Sequence, residues 1–289
     1  MQSITERLFI LLQYIIPHHL LSRIMYRVMR IRFRPVKNWL IKWFIGQFKV
    51  DMNTAKHASP EFYTDFNHFF TRELNAEARP VVTGENNIAC PVDGAVSQSG
   101  KIEDNLIFQA KGFNYSLESL LGDSNDLAQL FKNGDFSTLY LSPRDYHRIH
   151  MPLDAQLREM MYVPGKLFSV NQITTSRVPE LFARNERVIT LFDTAIGPMA
   201  MILVGAIFVS SIETVWAGEI TAGTSNKIKS WDYRDRTVAP IRFSKGEEMG
   251  RFNMGSTVIV LFAENKMEFS NLVQPDKPVQ MGQLLGTGL

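Results

Sequence analysis

VITLFDTAIGPMAMILV, residues 188–204, decides the fold class. Two runs of β-branched and long apolar residues, 188–192 and 199–204, flank DTAIGP, and this pattern predicts a hairpin with a longer loop. The apolar run 199–209 is too short to span a membrane, which takes about 20 residues. Working outward, AIFVSSIETV (206–215) suits another strand, and Val258 to Phe262 reads as a buried strand directly after Gly255-Ser256-Thr257. From about residue 88 short β-favouring runs are punctuated by SGK (99–101), NGD (133–135) and PGK (164–166), which read as turns. Leu117, Leu120, Leu121, Leu127 and Leu130 predict a helix over 116–132. Ser59-Pro60-Glu61 reads as a helix start, with Phe62, Phe66, Phe69 and Phe70 lining a core-facing stripe. The body, 56–289, is therefore expected to be a β-rich α+β domain with its helices mostly at the start.

The 289 residues are 45% hydrophobic and 21% charged, enough apolar material for a sizeable core. The one cysteine, Cys90, excludes an internal disulfide framework and a multi-cysteine metal site. It reads as a small core residue, and a reducing compartment is the default. A net charge of +2 conceals an asymmetry: residues 1–50 carry +8 and the remainder −6. A basic end on an acidic body points to an anionic surface, with no nucleic-acid partner expected.

Residues 1–55 form a region of their own. The mostly apolar stretch 8–22 is interrupted by Gln13, Pro17, His18, His19 and Ser22, so it is not expected to cross a bilayer, and it lacks the features of a secretory signal. Leu21, Ile24, Met25, Val28 and Met29 recur at helical spacing, with Arg23, Arg27, Arg30 and Arg34 on another face, until Pro35 breaks the run. A second segment, 36–48, brings Trp39, Leu40, Trp43 and Phe44 beside Lys37 and Lys42. Apolar and aromatic residues next to a basic stripe describe amphipathic helices lying in a membrane interface. The alternative is a helical hairpin packed on the body or on a second subunit.

Three segments hold residues fit for chemistry. His147 and His150 sit together in YLSPRDYHRIHMP (140–152), Asp93 lies in CPVDGAV, and Ser256 lies in GRFNMGSTVIVLF (250–262). No HExxH pattern and no third nearby Cys or His supports a metal site. Asp93, His150 and Ser256 fit a Ser-His-Asp hydrolase, although no GxSxG elbow accompanies them. They equally fit a serine turned on its own backbone, with Ser256 attacking the carbonyl of Gly255, His150 as base and Asp93 orienting it. A rigid strand after a Gly-Ser pair could hold that bond under strain. Spacing does not choose between the two schemes.

The combination of PVDG, SPRDYHRIHMP, YVPGKLFSVN (162–171), LFARNERV (181–188), IETVWAG (212–218), KGEEMGRFNMGSTVI (245–259) and FNHFFTREL (66–74) resembles the bacterial phosphatidylserine decarboxylases over essentially the whole chain. The family's processing motif usually reads LGST; here Met254 replaces Leu, a change of similar volume that is expected to have little effect. The resemblance implies a proenzyme that cuts itself between Gly255 and Ser256 into a β chain (1–255) and an α chain (256–289), with Asp93, His150 and Ser256 as the self-cleavage triad. Ser256 would become a pyruvoyl group, a covalent pyruvate cofactor, that forms a Schiff base with phosphatidylserine and releases carbon dioxide and phosphatidylethanolamine. His147 would serve the decarboxylation step, and no metal is implied. A peripheral place on the cytoplasmic face of the cell membrane and a homodimer are also implied. Asp145 could tune His147 or cap a turn, and Tyr146 and Phe168 could line a pocket or pack in the core. Removing residues 1–50 is expected to release the protein from membranes and spare self-cleavage.

Overall fold

Arg187–Thr194 and Gly197–Val204 do form a hairpin, paired in continuous register from Arg187↔Val204 to Thr194↔Gly197. The loop is shorter than expected, since only Ala195 and Ile196 are left unpaired. Gly197 takes φ +117°, and the Thr194 hydroxyl donates to its carbonyl at 2.7 Å, which lets the chain reverse in two residues. The computed structural model describes residues 4–289 apart from 111, 210, 222–225, 236, 238 and 256.

Among the described residues, this hairpin lies inside a nine-stranded antiparallel sheet. On one side Arg187–Thr194 pairs with Ala155–Val163, which is bordered by Lys229–Asp232 and Arg242–Phe243. On the other, Gly197–Val204 pairs with Thr257–Phe262, followed by Asp135–Tyr140, Gly94–Lys101 and Pro278–Val279. Every residue of Thr257–Phe262 is buried, which is why it reads as an unbroken apolar run rather than an alternating one. A four-stranded sheet runs Gly218–Thr221, Ser211–Thr214, Glu248–Phe252, Arg148–His150. The chain leaves that sheet at Phe252 and enters the large one at Thr257, so residues 253–256 are the crossing.

Several local expectations change for identifiable reasons. The 116–132 helix is two, Leu117–Leu120 and Asn125–Phe131, because Gly122 and Asp123 both take positive φ and Ser116 and Ser124 each cap a helix start. Residues 99–101 stay inside Gly94–Lys101, and the reversal falls at Asp104 and Asn105, both at positive φ. Among the described residues of the 206–215 run, only Ser211–Thr214 is a strand. The helix expected from Ser59 starts instead at Phe66, where Asp65 caps it by accepting from the His68 N–H at 2.9 Å. The Ser59 hydroxyl is taken by the Glu61 carboxylate, and Phe62 is exposed, stacked on His57.

The first fifty residues form α1 (Ile4–Ile15), α2 (His18–Val28) and α3 (Arg34–Phe48). Pro35 does not end a helix; it occupies the first turn of α3, where its missing N–H needs no partner, and the earlier run stops at Val28. No single helix among the described residues is long and apolar enough to cross a membrane, and α1 and α2 meet at 87°. Burial on these helices runs against the usual sense. Gln13, His18, Ser22 and Lys37 are buried, while Leu11, Leu20, Trp39 and Trp43 are about half exposed or more. The Lys37 ammonium donates to the carbonyls of Pro60 (3.0 Å) and Tyr63 (2.5 Å), and burial lowers its pKa. Phe44 anchors α3 to the body, its ring 5.1, 6.1 and 5.9 Å from those of Phe66, Phe69 and Phe70 in α4 (Phe66–Phe70). Truncating Phe44 to Ala is expected to lower stability by about 3–5 kcal/mol, the range for a buried Phe, measured as a fall in the thermal midpoint.

Candidate active site

The crossing at 253–256 is anchored on both sides. Before it, the Phe252 N–H donates to the His147 carbonyl at 3.0 Å. Asn253, fully buried, donates from its backbone N–H to the Ser211 carbonyl (3.0 Å) and from its side chain to the Ser211 hydroxyl (2.7 Å), and accepts from the Asn67 amide (2.9 Å). After it, Thr257 is paired with both Tyr140 and Val204. Between these anchors Met254 has φ +100°, a region L-residues rarely occupy. The strain expected around the Gly-Ser bond therefore includes the residue just ahead of it. Ser256 itself lies outside the described residues.

His147 is the side chain against Gly255. A Cβ built on that glycine would sit 3.4 Å from His147 Nε2 and 3.6 Å from the Leu141 carbonyl oxygen. The imidazole is fully buried, its ring 4.1 Å from that of Phe70. Nδ1 donates to the Asp145 carbonyl at 2.8 Å, which fixes the tautomer and leaves an Nε2 lone pair. Nε2 has no hydrogen-bond partner among the described residues. Burial is the main cause that pushes the His147 pKa down to about 3; Arg72 adds to the fall and the Asp145 carbonyl opposes it. A neutral imidazole whose acceptor is vacant among the described residues thus faces Gly255, as a proton-transfer group requires. Asp145 both caps and orients, with different atoms. Its carboxylate accepts from the Ser142 N–H at 2.7 Å and its carbonyl holds His147.

His150 and Asp93 stand one layer away. His150 Nδ1 donates to the Gly246 carbonyl at 2.8 Å, and Nε2 accepts from the Tyr146 hydroxyl at 3.0 Å; burial lowers its pKa. Asp93 is gripped by Arg79 through Nε (2.8 and 3.0 Å) and Nη2 (2.5 Å), and it accepts the Met281 N–H at 2.9 Å. Asp93 and His150 share no hydrogen bond; the carboxylate acts on the imidazole through space. Asp93, Arg79 and Tyr146 line a polar cleft of about 260 Å³ together with Arg72 and Arg144. Phe168 is core, packed against Tyr14 and His18. Cys90 is buried, its thiol donating to the Val92 carbonyl, and burial pushes its pKa up to about 12, so it is no nucleophile at neutral pH.

A cavity of about 540 Å³ also reaches Gly255. Phe9, Leu12 and Ile16 of α1, Phe44 and Phe48 of α3, and Phe70 and Met254 line it. No charged side chain lines it, and its few polar ones include Gln13, already holding the Ser169 N–H at 2.9 Å. Its shape and lining suit a hydrocarbon chain. The sequence gives Arg72 and Arg79 no role and Phe70 only a place on a core-facing stripe. Arg72 sits in the FNHFFTREL segment but carries no spacing signal, and Arg79 is a lone base whose pairing with Asp93 depends on the fold.

Residues 66–287 match the family described as phosphatidylserine decarboxylase, and residues 8–49 match a second model described as PSD. A phosphatidylserine decarboxylase proenzyme of Shewanella loihica is 53% identical over 279 residues, covering 96% of this chain and 98% of its own. That of Pseudomonas aeruginosa is 53% identical over 283 residues, 98% of each chain. That of Psychromonas ingrahamii is 49% identical over 282 residues, again 98% of each. Coverage of this extent takes in the crossing, the histidine pair and the three N-terminal helices alike, and the chain belongs to the phosphatidylserine decarboxylase family.

Proposed function

We propose that this chain decarboxylates phosphatidylserine to phosphatidylethanolamine at a membrane surface, after cutting itself between Gly255 and Ser256. The observation that carries the reading is the vacant Nε2 of His147 against Gly255, at a strained crossing next to an apolar cavity. In self-cleavage the Ser256 hydroxyl loses its proton and its oxygen bonds to the Gly255 carbonyl carbon. The C–N bond breaks, and the peptide becomes an ester with a free amine on residue 256. Loss of the residue 256 α-proton expels the Gly255 carboxylate. Water then replaces the nitrogen, which leaves as ammonia, and a pyruvoyl group caps residues 256–289. Asp93 and His150 serve this stage. Asp93 bears on His150 through space, and the His150 strand pairs with Glu248–Phe252, the strand that delivers the bond.

The pyruvoyl carbonyl supplies an electron sink for the charge left when carbon dioxide departs. The chain's part is to position and to move a proton. His147, with Nδ1 held by Asp145, presents Nε2 to that place as the proton carrier for the reacting carbon. The apolar cavity holds acyl chain and excludes water from it.

Outward-facing Leu11, Leu20, Trp39 and Trp43 lie on helices that carry most of the chain's positive excess, which supports a peripheral seat on an anionic leaflet. We place that seat on the cytoplasmic face, with a homodimer as the assembled form. Because α3 is tied to α4 by Phe44, deleting residues 1–50 would also remove the ring packed on Phe70, which lies against His147. Point changes are the cleaner probe.

Wild-type protein is expected to run as two chains on a denaturing gel and Ser256→Ala as one, with mass spectrometry placing a carbonyl-bearing terminus at residue 256. An uncut, fully active wild type refutes the self-processing. His150→Gln and Asp93→Asn are expected to stay uncut, whereas His147→Gln cuts but loses carbon dioxide release by roughly a hundredfold or more, the usual worth of a general acid or base. An uncut His147→Gln would transfer the self-cleavage role to His147. Trp39→Glu with Trp43→Glu is expected to abolish co-sedimentation with phosphatidylserine vesicles and leave self-cleavage intact; retained binding removes these helices as the anchor.

A further inference from the structure

Arg72 is buried, 3% exposed, yet forms no ion pair with any described carboxylate. Its neighbours are better provided: Arg79 holds Asp93, and Arg148 holds Glu248 and Glu73. A guanidinium taken out of water without a counterion carries a penalty of several kcal/mol. Burial accordingly lowers its pKa, while Asp93 and Asp145 act on it only at a distance. Its ring contact is Phe69, 5.7 Å from the guanidinium carbon, and its Nε is buried without a partner. Its one side-chain hydrogen bond runs from Nη2 to the Arg144 carbonyl at 3.1 Å.

That carbonyl is adjacent to the one that orients the catalytic imidazole. Arg72 holds residue 144, and residue 145 holds His147 Nδ1. A return stitch runs the other way, from Arg148 Nε to the Thr71 carbonyl at 2.9 Å. Two arginines thus lace residues 71–72 to residues 144–148, and Phe70, one residue further back, lies against the His147 ring. The turn between Ser142 and Asp145 is closed on its own side by the Asp145 carboxylate and by the Asp145 N–H to the Ser142 carbonyl at 2.9 Å. Arg72 is an external tie on this turn, and together with the Phe252 N–H bond to the His147 carbonyl it sets where His147 sits relative to Gly255.

We infer that Arg72 is a positioning residue for decarboxylation, acting through His147: it clamps the 144–145 peptide that aims Nε2, and it places a fixed positive charge near the imidazole. This rests on the reading of His147 as the proton carrier. The groups around His147 are the Phe70 ring, the Asp145 carbonyl and Gly255, and the charged group acting on it is Arg72. A like charge disfavours the imidazolium, so the cation makes His147 reluctant to keep a proton and ready to hand it on. Removing the charge raises the histidine's pKa. The limb of the pH–rate profile that belongs to His147, identified as the one missing in His147→Gln, then moves to higher pH.

The test uses matured enzyme and phosphatidylserine in detergent micelles. Arg72→Gln is expected to self-cleave, which reports a folded chain, and to lose roughly tenfold in kcat, the worth of one hydrogen bond to a charged group. KM is expected to stay unchanged and the His147 limb to shift upward. Arg72→Lys keeps the charge but not the planar fork, so its limb is expected to stay in place while kcat remains low. Should Arg72→Gln fail to mature, Arg72→Lys decides the matter. Wild-type kcat with an unmoved limb in Arg72→Gln overturns the inference; so does wild-type kcat in Arg72→Lys when that variant alone matures. If His147→Gln decarboxylates normally, the reading beneath falls instead, whatever the arginine variants do.

Discussion

Four residues joining two sheets set the terms for the rest of this molecule. The four-stranded sheet ends one strand at Phe252, the large sheet begins its central strand at Thr257, and both ends are held by several hydrogen bonds. The backbone between them has to turn within a fixed span, and Met254 takes a positive φ to do so. Because the flanks are rigid, the distortion cannot relax into the strands, and it stays next to the Gly255-Ser256 bond. His147 and His150 flank the start and end of the strand Arg148–His150, which pairs with Glu248–Phe252, and the Phe252 N–H bonds the His147 carbonyl. The imidazole at Gly255 is therefore placed there by strand pairing, with His150 one layer further back.

The N-terminal helices follow a second constraint, set by which of their two faces meets the body. Two of the polar groups buried on their inward faces find partners on the body: Gln13 on Ser169, Lys37 on Pro60 and Tyr63. Their outward faces expose tryptophan and leucine, an arrangement that is unfavourable against water and favourable against lipid. The same helices wall the apolar cavity that reaches Gly255. On the proposed reading, anchor and acyl-chain pocket are one structure, and an enzyme seated this way need not lift its substrate out of the leaflet.

Much of this was legible in the sequence because it depends on local pattern. The alternation and apolar runs around 188–204 and 258–262 marked strands, since burial on both faces leaves no polar positions to confuse the reading. The helical spacing at 18–48 was visible, but its sense was not: a period shows that a helix has two faces without showing which one meets the body. Boundaries failed where a single side chain decided them, as with Asp65 displacing Ser59 as a cap and with Pro35 opening a helix rather than closing one. The residues 93, 147, 150 and 256 could be named as a set from their motifs. Their partners could not, because Arg79 for Asp93 and Tyr146 for His150 are assigned by folding, and Arg72 belongs to the site through a carbonyl oxygen, a contact that leaves no trace in residue identity.

The position of Thr257–Phe262 at the heart of the large sheet bears on what a cut beside it does. The downstream piece supplies this strand, lodged between Asp135–Tyr140 and Gly197–Val204, and further strands that pair with Gly94–Lys101 and Asn87–Ala89. Severing one peptide bond ahead of Thr257 would free no fragment, because paired strands on both sides hold the two pieces in the arrangement they reached as one. The topology nonetheless makes the event one-way in a kinetic sense. A molecule unfolded after the cut has lost the tether that once delivered its middle strand, so recovering the fold becomes a second-order encounter between a long piece and a short one, slower with every dilution.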